Sequence, residues 1–196
     1  MLTDRPPLRQ TLLAEFLASD RSPTLELPPD ERLRLPSQAI QAAMESGQSA
    51  AVRPACAEFL QVAAEFYKVS TPQVRILAAR PVRVRERGGS FELFGDYAPK
   101  TALIRVWMRT AVRRQVTSFG TFLSTLCHEF CHHLDYERFG FHDSPHTRGF
   151  YERTAALYHH ARNTPQKRLF WIAMAHGRWR IDWPRTAGRK TASKLV

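Results

Sequence analysis

The sequence predicts an α+β domain, with a small, mainly antiparallel sheet and a helical half after it. Three observations predict this. Apolar residues recur at three- and four-residue steps over 56–67 and again over 119–134, as one buried helix face requires. Between them lie short runs rich in β-branched and aromatic residues, punctuated by turn formers. The length, 196 residues, suits one ordinary domain with tails.

Taken in order, residues 1–52 are broken by Pro6, Pro7, Pro23, Pro28, Pro29 and Pro36. Leu8, Leu12, Leu13 and Phe16 fall at helical spacing, so a short helix is expected over 8–17 and a loosely ordered lead-in elsewhere. The domain proper is expected over 53–183. Pro54 suits a first helical turn, and Cys56, Phe59, Leu60, Ala63, Phe66 and Tyr67 make the inner face of a helix that ends before Pro72. Strands are expected over 74–78, 82–86, 91–94 and 102–108. A tight turn at Gly88-Gly89 joins the second to the third, and Arg83, Arg85 and Arg87 form a wet basic face.

From residue 117 the period becomes helical. Ser118 is the expected N-cap, and Phe119, Phe122, Leu123, Leu126, Phe130 and Leu134 form the apolar stripe of a helix reaching about Arg138 and stopping before Gly140. After a loop over 139–145, a second helix is expected over 147–162, broken by Asn163, Thr164 and Pro165. A short helix over 166–175, a strand or arm over 178–183 and a basic flexible tail over 184–196 complete the chain.

Composition narrows the function classes. With 43% hydrophobic and 24% charged residues the chain is not wholly disordered. Its apolar stretches fall far short of the ~18 residues of a membrane span, and no apolar run follows Arg5 as a signal peptide would need. Cys56, Cys127 and Cys131 build neither a disulfide framework nor a zinc ribbon. A cytoplasmic protein is therefore expected. The net charge of +11 points to a polyanionic partner, nucleic acid before membrane. The surplus is uneven: over 162–196 there are nine Lys or Arg against the single acid Asp182, interleaved with Phe170, Trp171, Trp179 and Trp183. Such interleaving suits stacking and phosphate contacts to DNA.

The segment that carries chemistry is His128-Glu129-Phe130-Cys131-His132, an HExxH arrangement inside the strongest helix of the chain. Residues four apart share a helix face, so both imidazoles can reach one metal ion. Glu129 is turned by about 100° from His128, beside the metal rather than on it, where it can move a proton to and from a metal-activated water. A catalytic zinc site needs a third protein ligand. Arg138 occupies the position six residues after His132, which excludes the metzincin spacing. His146 and Glu152 both remain, fourteen and twenty residues after His132.

These residues, with the preceding Thr121 to Cys127 and the following Thr147, Arg148, Gly149 and Phe150, resemble the SprT-like (Spartan-like) zinc metallopeptidases. The resemblance covers about residues 54–162, including a GxY-like turn at Gly95-Asp96-Tyr97, and not the ends. It implies Zn2+ held by His128, His132 and His146 on an HExxH helix and a following helix, with Glu129 as general base. Glu152 then takes a structural place. It also implies an extended substrate pairing with a strand over 101–108, and hydrolysis of peptide bonds in DNA-associated proteins.

Other residues carry two readings each. Asp135 is a solvated charge or the acceptor of a ligand's second ring N–H. His133, Cys127 and Cys131 are packing residues in the plainer reading, and site residues in the sharper one. Tyr151, Arg153 and Tyr136 are candidates to stabilise an oxyanion, and spacing does not choose among them. Three function classes stay open: a protease acting on protein or peptide substrates, a regulatory peptidase cutting one partner, and a basic nucleic-acid-binding protein with a structural or vestigial zinc site.

Overall fold

The fold is known from a computed structural model that describes residues 1–29, 31–84 and 90–188. It is mixed α+β, with six helices and small, mostly antiparallel sheets among the described residues. The Gly88-Gly89 turn, the basic face expected at Arg85 and Arg87, and residues 189–196 of the basic tail lie outside the described residues.

Helix α3, Ser49–Tyr67, buries the stripe that its spacing predicts: Cys56, Phe59, Leu60, Ala63 and Tyr67 are all core residues. It begins one turn before the expected start, so Pro54 lies inside the helix and not in its first turn. The lost N–H bond at Pro54 is offset by Val52, which the extra turn buries completely.

Strands β1 (Gln73–Ala79), β4 (Gly95–Ala98) and β5 (Leu103–Arg109) form the main sheet in the order β1-β5-β4. β5 lies at its centre, parallel to β1 and antiparallel to β4. Its inward residues Ile104, Val106 and Met108 are buried in strict alternation. The expected turn at Gly95-Asp96-Tyr97 is instead strand β4. Asp96 stands opposite Arg105 and receives two N–H bonds from it, at 2.6 and 2.8 Å, which fixes the register. β2 (Val82–Val84) and β3 (Ser90–Glu92) pair as a separate hairpin.

Helix α4, Phe119–Leu134, packs on β4 and β5. A single π-turn, Asp135–Phe139, carries it to Gly140, and α5, Arg148–Arg162, packs antiparallel beside it. Ser118 and Thr147 cap α4 and α5 by accepting from Thr121 N–H and Phe150 N–H.

Two expectations for the ends are overturned. Residues 1–52 are not a loose lead-in: they hold α1 (Gln10–Asp20) and α2 (Arg34–Glu45), and Leu33 and Ile40 are fully buried. Proline terminates helices only when it falls inside one, and Pro36 stands in the first turn of α2, where its missing N–H costs nothing. α1 crosses the start of α5 so closely that a Cβ on Gly149 would lie 2.0 Å from the Ser19 carbonyl oxygen. The helix expected over 166–175 is instead β6, Trp171–Ala173, in a hairpin with β7, Trp179–Ile181. Cross-strand pairing of Trp171 with Ile181 outweighs the local helical spacing. The last described element is the short α6, Trp183–Thr186.

Candidate metal centre

The histidine cluster depends first on α4 staying in place. Phe122, Leu123, Leu126, Phe130 and Leu134 are at most 1% exposed. At about 1.5–3 kcal/mol for each buried side chain, this stripe outweighs the cost of carrying imidazoles and a carboxyl on the other face. That face presents His128 and His132 one turn apart, with Glu129 buried between them and β4.

His146 comes from the loop before α5 and meets the pair. The three Nε2 atoms lie 3.0, 3.2 and 3.2 Å from one another. For His132 and His146, the neighbours assign which ring nitrogen carries the proton. Ser144 Oγ lies 2.6 Å from His132 Nδ1 and 3.1 Å from Asp135 Oδ2. The ionised carboxylate only accepts, so Ser144 donates to Asp135 and accepts from His132 Nδ1–H. By the same logic His146 Nδ1–H donates to Asp4 Oδ2 at 3.2 Å. Two bare Nε2 lone pairs, those of His132 and His146, therefore face each other at 3.2 Å. A cation resolves that repulsion. Tetrahedral zinc at 2.0–2.1 Å from nitrogen needs roughly 3.3 Å between its ligand atoms, within a few tenths of an ångström of the observed spacings. Three histidines close enough to hold a metal ion are thus present, and the donor set fits one.

Burial keeps the His128 and His132 imidazoles neutral. Burial, then the neighbouring His146, holds the His128 imidazole down to about 3, and burial holds His132 well below its ordinary value. Protons do not compete with a metal for these nitrogens near neutral pH. Burial pushes the Glu129 carboxyl the other way, up to about 8, with the nearby Asp96 adding to the effect.

The remaining sequence candidates separate cleanly. Glu152 is not among the clustered residues and accepts from Trp171 Nε1 at 3.2 Å. Asp135 is fully buried and reaches His132 through Ser144, while Arg153 pairs with it at 2.8 Å, 1% exposed. Removing either partner of such a pair costs about 3–5 kcal/mol. Arg153 is thereby unavailable to a substrate. Tyr151 is occupied as well, its hydroxyl donating to the Leu2 carbonyl. Of the three oxyanion candidates, Tyr136 alone lines the cleft. His133 is a packing residue, held between the Tyr97 hydroxyl at 2.9 Å and the Ser70 carbonyl at 2.7 Å, and Cys127 and Cys131 are buried in the core.

The cluster lies in an open cleft of about 450 Å³, walled by Gly95, Asp96 and Tyr97 of β4 on one side and by His142, Asp143 and Ser144 on the other. Phe150, fully buried, packs behind the histidines, stacked on His132 at 4.5 Å between centroids. The strand over 101–108 does not border it as an edge: β5 is paired on both sides, and β4 is the outer strand beside α4.

Sequence reasoning missed Asp4, Ser144 and Gly95. Asp4 is 142 residues from its partner and carries no local signal. Ser144 has a positive φ of 38°, a strained state for a residue with a side chain, and this turns its hydroxyl onto His132. At Gly95 a Cβ would lie 2.6 Å from Thr125 Cγ2 and 2.8 Å from Glu129 Oε1. Gly95→Ala is expected to destabilise the fold by about 1–3 kcal/mol while metal content is retained. Thermal denaturation beside elemental analysis checks this, and unchanged stability would mean that strand and carboxyl do not press on each other.

Against protein-family models, curated proteins and solved structures alike, the chain gives no match.

Proposed function

We propose that this protein is a zinc-dependent peptidase of the SprT-like kind, hydrolysing peptide bonds in protein substrates. The observation that best supports this is the convergence of three Nε2 atoms within 3.2 Å beside a buried glutamate, all open to one cleft. His128, His132 and His146 would hold the ion, and N-rich ligation suits zinc while also accepting cobalt or nickel. When bound, zinc supplies Lewis acidity and lowers the pKa of a coordinated water to about 7.

The chain's own residues do the rest. β4 borders the cleft and can align an extended peptide through main-chain bonds. Glu129, one residue along from His128 and lining the same cleft, takes a proton from the attacking water and returns it to the leaving nitrogen. Tyr136 lines the same cleft and can donate to the developing oxyanion. The Asp135–Ser144 relay keeps His132 in the tautomer that exposes Nε2.

The test is cleavage of an unfolded protein by the zinc-loaded chain, with and without DNA. Chelation should abolish cleavage and added zinc should restore it; activity indifferent to the chelator would sink the proposal.

A second property is favoured by one observation, the basic and aromatic surface beside the β6–β7 hairpin. Arg168 and Arg185 both lie over the Phe170 ring, at 5.3 and 4.1 Å, and Trp183 is 48% exposed. DNA binding there would draw on the +11 net charge. Replacing both arginines by alanine should lower the slope of log affinity against log salt by about two. An unaltered slope would remove this surface from consideration.

A further inference from the structure

We infer that Asp4 is a positioning residue for the third metal ligand, and that residues 1–4 form a clasp whose docking on β7 sets how tightly the three histidines hold a metal ion. The inference rests on the metal-centre reading above.

The need for a clasp follows from how the ligands are carried. His128 and His132 are fixed by α4, whose helical bonds and buried stripe leave them little freedom. His146 has no such support. It stands in the loop between Gly140 and the N-cap Thr147, with its side chain 34% exposed. Its orientation has to come from contacts outside its own element.

Residues 1–4 supply them. The segment runs antiparallel to β7, with Leu2 opposite Arg180. Thr3 N–H donates to the Trp179 carbonyl at 2.8 Å, Trp179 N–H donates to Thr3 Oγ1 at 2.8 Å, and Ile181 N–H donates to the Met1 carbonyl at 3.3 Å. Just beyond this ladder Asp4 grips His146 three times. Asp4 N–H donates to the His146 carbonyl at 2.9 Å, and Asp4 Oδ2 accepts from His146 N–H at 2.9 Å and from its Nδ1–H at 3.2 Å. The Leu2 carbonyl also accepts from the Tyr151 hydroxyl at 3.1 Å, and the Tyr151 ring stacks on His146 at 21°.

Two consequences follow. A carboxylate on Nδ1–H fixes the tautomer, aims Nε2 at the cluster and strengthens it as a donor, and loss of such a partner typically costs 10- to 100-fold in metal affinity. The carboxylate is itself half-exposed, so its placement depends on the backbone ladder to β7 more than on burial. A peripheral ladder of this size opens locally at far lower free energy than the core. Metal affinity is thereby coupled to whether the segment is docked.

The test uses the full chain as wild type, Asp4→Asn and Thr3→Pro. Zinc affinity is measured by competition with a chromophoric chelator, and the Co2+ form is followed by its visible absorption. Asp4→Asn should weaken zinc binding by about 10- to 100-fold and alter the cobalt spectrum, with the melting temperature of the metal-free protein unchanged. Thr3→Pro removes the Thr3 N–H and hydroxyl while leaving the carboxylate, and should weaken binding in the same direction. Loss in Asp4→Asn alone keeps the positioning role and overturns the clasp. Wild-type affinity and spectrum in both variants overturn the whole inference. Wild type that takes up neither metal overturns it together with the metal-centre reading.

Discussion

Replacing His146 by alanine is expected to strip the protein of stoichiometric zinc, whereas Glu152→Ala is expected to leave zinc in place. The two residues were equivalent by spacing alone, and the structure separates them. His146 Nε2 lies 3.0 Å from His128 Nε2 and 3.2 Å from His132 Nε2, while the Glu152 carboxylate is turned to the Trp171 indole. Structural zinc binds with roughly 10–16 kcal/mol over four ligands, so one ligand contributes on the order of 3–4 kcal/mol, a loss of about 10²- to 10³-fold in affinity. Elemental analysis of protein purified without chelators reads this directly. Zinc retained by His146→Ala and lost by Glu152→Ala would move the site to the thermolysin-like pattern.

Glu129→Gln is expected to keep zinc and lose cleavage, by about 10²- to 10⁴-fold, the usual contribution of general acid–base catalysis. Glutamine preserves the shape beside Gly95 and removes only the transferable proton. Activity at wild-type level would end the assignment of Glu129 as the base. The same variant has a signature in the metal-free protein that needs no substrate. The Glu129 carboxyl is raised from an ordinary 4.5 to about 8 by burial. Across that window the unfolded chain has released a proton that the folded chain still holds. Folding stability therefore falls as pH rises, by about 1.4 kcal/mol per pH unit, and levels off above the folded value. Glutamine has no proton to lose, so Glu129→Gln should flatten that slope and stand on the order of 4 kcal/mol above wild type at pH 8. Urea denaturation at several pH values distinguishes the two.

Both expectations show where a site residue's identity comes from. His128, Glu129 and His132 were legible because helical geometry alone places them, four residues and one turn apart, and the apolar stripe behind them marks which face is free. The caps Ser118 and Thr147 and the break at Asn163 were equally local. Asp135 was legible only as a position near the metal face; its path to His132 runs through Ser144, whose positive φ no spacing rule anticipates.

By itself, then, the sequence determined the α+β class, the core stripes of α3 and α4, the helix that carries the histidine pair and the extent of α5. These are properties of periodicity and of end-capping, both decided within a few residues. Tertiary structure alone decided the rest. It brought His146, and not Glu152, to the histidine pair and withdrew Arg153 and Tyr151 from the cleft into bonds of their own. It also made β4 rather than β5 the strand that opens on the site, and turned residues 1–52 from a loose lead-in into two helices and a strap on His146. The physical reason is common to all four. Each depends on bonds or packing between residues far apart in the chain, and such contacts leave no period, cap or turn residue in the sequence that forms them.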